Sequence, residues 1–259
     1  MPAFSRSLLL LPLIVVLAAC RQATPSLPAI QVEISHVVGA APLVIGVALT
    51  TPAGETLSVK RLQYYLSNPR LLRADGSWQA PPQDLQSPDG YYLIDAAKPE
   101  TTHFLLPAAP AGEYSGVEFT IGVDEVRNGS GAQTGALDPA HGMFWTWATG
   151  YIHFKLEGRS PASPEADHAV TLHLGGNGLQ RTVFLPFAPK PVRVSTDIQP
   201  TVHLHADLAA FLGGAAPLKF AEQPLVMQAK DGLPLADRLG SLLSVDHIHH
   251  EPAGAPHRP

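Results

Sequence analysis

The chain has 259 residues, a formal net charge of −5, 45% apolar residues and 15% charged residues. That much apolar material supports a sizeable core and excludes a disordered chain. The acidic balance excludes a general electrostatic attraction to nucleic acid.

With 26 prolines and 22 glycines, turns and short strands are favoured over long helices. Residues 1–19 carry a short n-region with Arg6 and an apolar run from Leu8 to Leu17. The run is too short for a comfortable transmembrane helix and reads as a secretory signal. Its end, "LAAC", resembles a bacterial lipobox, which implies cleavage before Cys20 and lipid on that residue. The bland alternative is an ordinary cleaved signal with an incidental cysteine. Cys20 is the only cysteine, so the mature domain has neither a disulfide nor a thiolate ligand. Arg21, not an aspartate, follows it. In a Gram-negative host this reads as a periplasmic protein anchored to the outer membrane by lipid. Residues 20–28 read as a tether.

From Ile30 the pattern changes. "IQVEISHVV" alternates Ile30, Val32 and Ile34 against Gln31, Glu33 and Ser35, a strand period. "LVIGVAL", "LSVKRLQYYLSNPRLL" and "AGEYSGVEFTIGV" follow as strands, with turn signals at "RADGSW" and "SPDGYY". A loop, "VRNGSGAQTGALDPAHG", leads into the aromatic stretch "GMFWTWATG". Then come "YIHFKLEG", "AVTLHLGG", "RTVFLPF" and "PTVHLHADL". Turns recur at the spacing of a β-sandwich, and no βα alternation appears. The expected fold is all-β, a single-domain antiparallel β-sandwich over residues 29–245 with few short helices. Only "LPLADRLGSLL" has helical periodicity, with Leu235, Leu239 and Leu242 on one face. Residues 246–259 read as a histidine-rich flexible tail.

There is no P-loop, GxGxxG or GxSxG, and nothing at short range suggests a hydrolase triad. Triads are assembled in space, so that absence decides little; a binding protein is the expected reading of the chain and a metal-dependent hydrolase the least favoured one. Its 12 histidines offer the chemistry. His203 and His205 lie two apart on an expected strand, on one face and about 7 Å apart. They could share a metal, or form a solvated face opposite Val202, Leu204 and Ala206. His36 and His173 each read alone as ligand or hydrogen-bonded structural residue. His247, His249 and His250 sit in the expected tail. Alternation puts Trp145 and Trp147 on one face, where two indoles would anchor a core. Indole N–H only donates, so unmodified tryptophan is no metal ligand. Trp78, in a turn, should be the more exposed.

"LDPAHGMFWTWATGYIHFKLEG" resembles the signature of the MbnP-like family, methanobactin-associated periplasmic copper-binding proteins often encoded beside a di-haem MauG-like peroxidase. "VEISHVVGAAPLVIG", "LQYYLSNPRLLRADG" and "TLHLGG" resemble further family elements in the same order, over roughly residues 30–210. In some members one tryptophan is oxidised to kynurenine, whose aromatic amine and ketone can coordinate, and two histidines complete a copper site. The resemblance implies His36 and His173 as ligands here, with Trp145 or Trp147 as the kynurenine and Trp147 slightly favoured. His203 and His205 remain the internal competitor. The chain departs from the four-cysteine branch of the family. A surface-anchored β-sandwich interaction module without metal is the alternative.

Overall fold

The computed structural model describes residues 29–80, 89–106, 109–145 and 150–252. Cys20, the tether and Trp147 lie outside the described residues. The first half of the domain forms β1 (Gln31–Val38), β2 (Ala41–Pro42), β3 (Ala48–Thr50), β4 (Thr56–Arg73), β5 (Trp78–Gln79), β6 (Tyr91–Asp95), β7 (His103–Leu105) and β8 (Gly112–Ile121). A one-turn helix α1 (Glu125–Asn128) precedes β9 (Phe144–Trp145), β10 (Gly150–Arg159), β11 (Ala169–Gly175), β12 (Arg181–Pro186), β13 (Val192–Val194) and β14 (Ile198–Asp207). Helix α2 (Leu208–Leu212), β15 (Leu225–Val226), α3 (Ala229–Ala236) and β16 (Leu243–Pro252) complete it.

The strands form two sheets, an all-β sandwich. The smaller runs β16-β14-β1-β2, with β7 also on β1. The larger runs β12-β8-β4-β10-β11-β15, with short strands added on β4, β8 and β10. Pairing is antiparallel except for two contacts, β1 with β14 and β11 with β15, which are parallel.

Strand alternation explains the core, and bulges explain where it changes phase. In β4, Leu57 and Val59 face inward, and then Leu62, Tyr64 and Leu66 do. The switch from odd to even positions falls where β10 passes from Glu157, opposite Arg61, to Gly158, opposite Val59. The extra residue, Lys60, turns the strand over. Tyr64, Phe119, Phe154, Leu172, Leu204 and Phe211 fill the space between the sheets, each worth about 1.5–3 kcal/mol of burial. A second cluster of Tyr65, Val123, Leu137, Met143, Trp145, Tyr151 and Ile152 lies apart from it. Tyr64 and Tyr65 are consecutive on β4 and belong to different clusters, so the second cluster covers the opposite face of the larger sheet.

The C-terminal segment corrects the expected tail. Strand β16 runs straight through the boundary at 245, pairing with β14 from Leu243 to Pro252. The register skips Asp246 between His203 and Leu204, a bulge. That extra residue puts Val245 and Ile248, three apart, on the same core-facing side, where both pack against the main cluster. Simple alternation does not show this. The expected helix is there in part, as α3 and a 3₁₀ turn over Asp237–Ser241, with Leu235, Leu239 and Leu242 buried. Trp78 is 43% exposed against 6% for Trp145, as its turn position suggests.

Candidate metal centre

The signature loop is held by its own polar side chains. Asp124 caps α1, Asn128 accepts a hydrogen bond from Tyr151 N at 2.7 Å, and Asp138 accepts one from Ala140 N at 2.8 Å. Gly142 then takes a left-handed turn at φ 73°. The chain leaves it as β9, with Trp145 opposite Gly150 and Phe144 opposite Tyr151 on β10. The ring of Trp145 lies over Gly175 on β11, where an added Cβ would stand 3.0 Å from Cζ3 of the indole and 2.6 Å from Tyr151 O. The first glycine of "HLGG" is therefore required by close approach.

Val170, Leu172 and Leu174 of β11 face the core. Thr171, His173 and Gly175 accordingly face the other way, so His173 and the Trp145 ring share one side of the larger sheet. One strand period, about 7 Å, separates positions 173 and 175. His173 is buried. Its Nε2 donates to Glu157 Oε1 at 2.8 Å. That hydrogen bond is the main reason the Glu157 carboxyl is held below the usual range. Nδ1 of His173 is buried and has no hydrogen-bond partner among the described residues. Opposite His173 stands Lys155, whose ammonium donates to Gly142 O and is lowered below the ordinary lysine value by burial.

His36 is placed elsewhere. Its Nε2 meets the Tyr64 hydroxyl at 3.2 Å, and burial lowers its pKa to about 4. Tyr64 is opposite Phe154, which is opposite Leu174, and all three point into the inter-sheet core. The adjacent row, Gln63–Lys155–His173, points out of the other face. The larger sheet thus stands between His36 and His173. The ligand set of both histidines and a tryptophan does not assemble around one ion, and this corrects that expectation. Trp145 is on the His173 side.

The His203/His205 pair is also split. His203 joins His247 and His249, while His205 Nε2 approaches Asp246 Oδ2 at 3.6 Å. A residue passed over by the sequence reading is His153. It sits on β10 where the register jumps from Ile152 to Phe154. Its Nδ1 accepts from Val123 N at 3.1 Å and its Nε2 donates to Gly176 O at 2.8 Å. Burial lowers its pKa to about 4. It is a fully satisfied structural histidine, tying the signature loop to the "HLGG" turn.

Fold and site define an all-β domain of two sheets whose signature loop seats a buried tryptophan beside a histidine–glycine strand end. The chain belongs to the MbnP family, whose model matches residues 28–228. Among solved structures it is similar to MbnP from Methylosinus trichosporium, at 16% identity and a TM-score of 0.49, covering 87% of this chain and 99% of that one. No curated protein matches the chain.

Proposed function

We propose that this chain is a periplasmic copper-binding protein, lipid-anchored through Cys20, whose copper centre lies on the Trp145–His173 face of the larger sheet. A di-haem MauG-like partner oxidises one tryptophan of the signature, Trp145 or Trp147, to kynurenine. The observation that carries this reading is Nδ1 of His173, a buried acceptor with nothing bonded to it among the described residues. Leaving such an atom unsatisfied costs about 1–3 kcal/mol. Its other nitrogen donates to a carboxylate, the arrangement that fixes the tautomer and orientation of a metal-bound imidazole. An intact indole cannot complete the centre, since it only donates; kynurenine adds an amine and a ketone. Imidazole and aromatic amine suit copper.

Intact mass and copper-dependent quenching of kynurenine fluorescence test this. In protein made with the partner enzyme, one tryptophan should lose one carbon and gain one oxygen. Copper should then quench the product, and His173→Ala should abolish the quenching while His36→Ala keeps it. Unmodified tryptophan in protein from the native host would support the metal-free interaction module instead. Anchoring is tested separately. Stable membrane attachment needs more than one acyl chain, as a lipidated cysteine supplies. Cys20→Ser should move the protein from the membrane fraction to the soluble one; unchanged fractionation would refute the anchor.

A further inference from the structure

The outer face of the smaller sheet carries a different set of histidines, two of them beyond residue 228, where the family match ends. Strand register aligns four residues across it: His103 on β7 opposite Glu33 on β1, Glu33 opposite His203 on β14, and His203 opposite His247 on β16. His249, two residues further along β16, shares the face of His247. The bulge at Asp246 brings this about, because it turns both histidines outward while Val245 and Ile248 stay in the core.

We propose that His203, His247 and His249 form a second transition-metal site, a three-imidazole centre for Cu(II) or Zn(II). One ring nitrogen from each residue lies within 4.8 Å of the others. His203 Nε2 and His249 Nδ1 are 3.1 Å apart. Two imidazole nitrogens bound to one ion stand about 3–3.5 Å apart, given metal–nitrogen bonds of about 2.0–2.1 Å. That pair is already at ligand spacing. The His247 ring lies parallel to His203 at 4.1 Å, and its side chain is 58% exposed, leaving room to turn in as third ligand.

The second nitrogens make the case specific. His203 Nδ1 faces Glu33 Oε2 at 3.4 Å, His247 Nδ1 bonds Asp246 Oδ2 at 2.7 Å, and His249 Nε2 faces Glu251 Oε1 at 3.4 Å. Each imidazole therefore has a carboxylate behind one nitrogen, while the other nitrogens of His203 and His249 share a hydrogen bond that an ion would replace. Such carboxylate–histidine pairs orient ligands and raise their basicity. Two further histidines brace the carboxylates: His103 Nε2 meets Glu33 Oε1 at 2.9 Å, and His205 approaches Asp246 at 3.6 Å. Three neutral nitrogens with no thiolate suit late divalent ions, Cu(II) most tightly. The bland alternative is a stack of imidazoles sharing one N–H···N bond.

Full-length protein made without the di-haem enzyme, and held in detergent, separates this site from the kynurenine centre. Metal-free protein is titrated with Cu(II) and, in a second arm, with Zn(II), by calorimetry. Either ion binding at one per chain supports the site, and the copper form should show imidazole nitrogen couplings by electron paramagnetic resonance. Replacing both His247 and His249 with Asn should weaken binding about 100-fold or more, and Glu33→Gln about 10- to 100-fold. His173→Ala should leave it unchanged. The changed histidines lie on the outward face of β16, and an unaltered thermal midpoint confirms that the double variant folds. No binding of either ion, or binding that survives the double substitution or is lost with His173→Ala, would overturn the assignment.

Discussion

Gly122→Ala should destabilise the domain by about 2–6 kcal/mol, the sum of backbone strain and overpacking at a closed position. The backbone there has φ +122°, a conformation an L side chain rarely adopts. An added Cβ would also stand 2.8 Å from Cγ of His153 and 3.0 Å from Cβ of Gln180. The residue cannot shift away easily. Its N–H bonds Tyr65 O at 2.9 Å, and its carbonyl accepts from Ser67 Oγ at 2.8 Å. A loss of that size is a large share of a domain's total stability of about 5–15 kcal/mol. Urea unfolding measures it, with Gly240→Ala as control, because nothing lies within 4 Å of a Cβ at Gly240 and its φ is ordinary. Equal effects at the two glycines would show that the close approach at Gly122 does not exist.

Acid should weaken the fold through the same spot, with a loss of about 3 kcal/mol from His153 alone. The folded pKa is about 4, lowered from 6.5 by burial. Between those values the unfolded chain holds a proton that the folded chain does not. The contribution is therefore fully present above about pH 6.5, falls steadily toward pH 4 and levels off below it. Hydrogen bonding gives the same sign: Nδ1 accepts from Val123 N, so a proton there would set two donors against each other. Unfolding free energy at pH 7.5 and pH 4.5 should differ by more than this in the native protein, because burial lowers His36 to about 4 as well; the share of His153 is the part lost in a variant without it. His153→Gln should be less stable at pH 7.5 yet depend less on pH. An undiminished dependence in that variant would place the acid sensitivity elsewhere.

Most of the strands were legible because period two survives wherever a strand is half buried, as in Val32 and Ile34 of β1 or Val202 and Leu204 of β14. What escaped the sequence is traceable to single extra residues. Lys60 changes which side of β4 is core, and Asp246 hides a real strand by spacing its inward residues three apart. His153 sits at a third irregularity. The candidate centre was legible only by halves. The glycine after "HL" and the tryptophan loop belong together, and the close approach of Trp145 to Gly175 explains why. That His36 lies behind the sheet from His173 depends on which sheet β1 joins, and nothing local to "EISHVVG" encodes that. The partners of His203 were equally hidden, lying 44 and 46 residues further on and brought to it by strand pairing.

The parallel contact of β1 with β14 bears on how the chain folds. Strand β1 comes early, yet one of its long edges is completed by residues 201–207, and Gly39 N finds Asp207 Oδ1 across a separation of 168 residues. The larger sheet can begin from nearer neighbours such as β10 and β11. The smaller one must wait for a loop of most of the domain to close. Topologies of this kind belong to the slow class of folders, milliseconds to seconds rather than microseconds. Until the loop closes, Tyr64, Phe154 and Leu172 present a bare apolar face that only the returning chain covers. In that interval the protein is most exposed to aggregation.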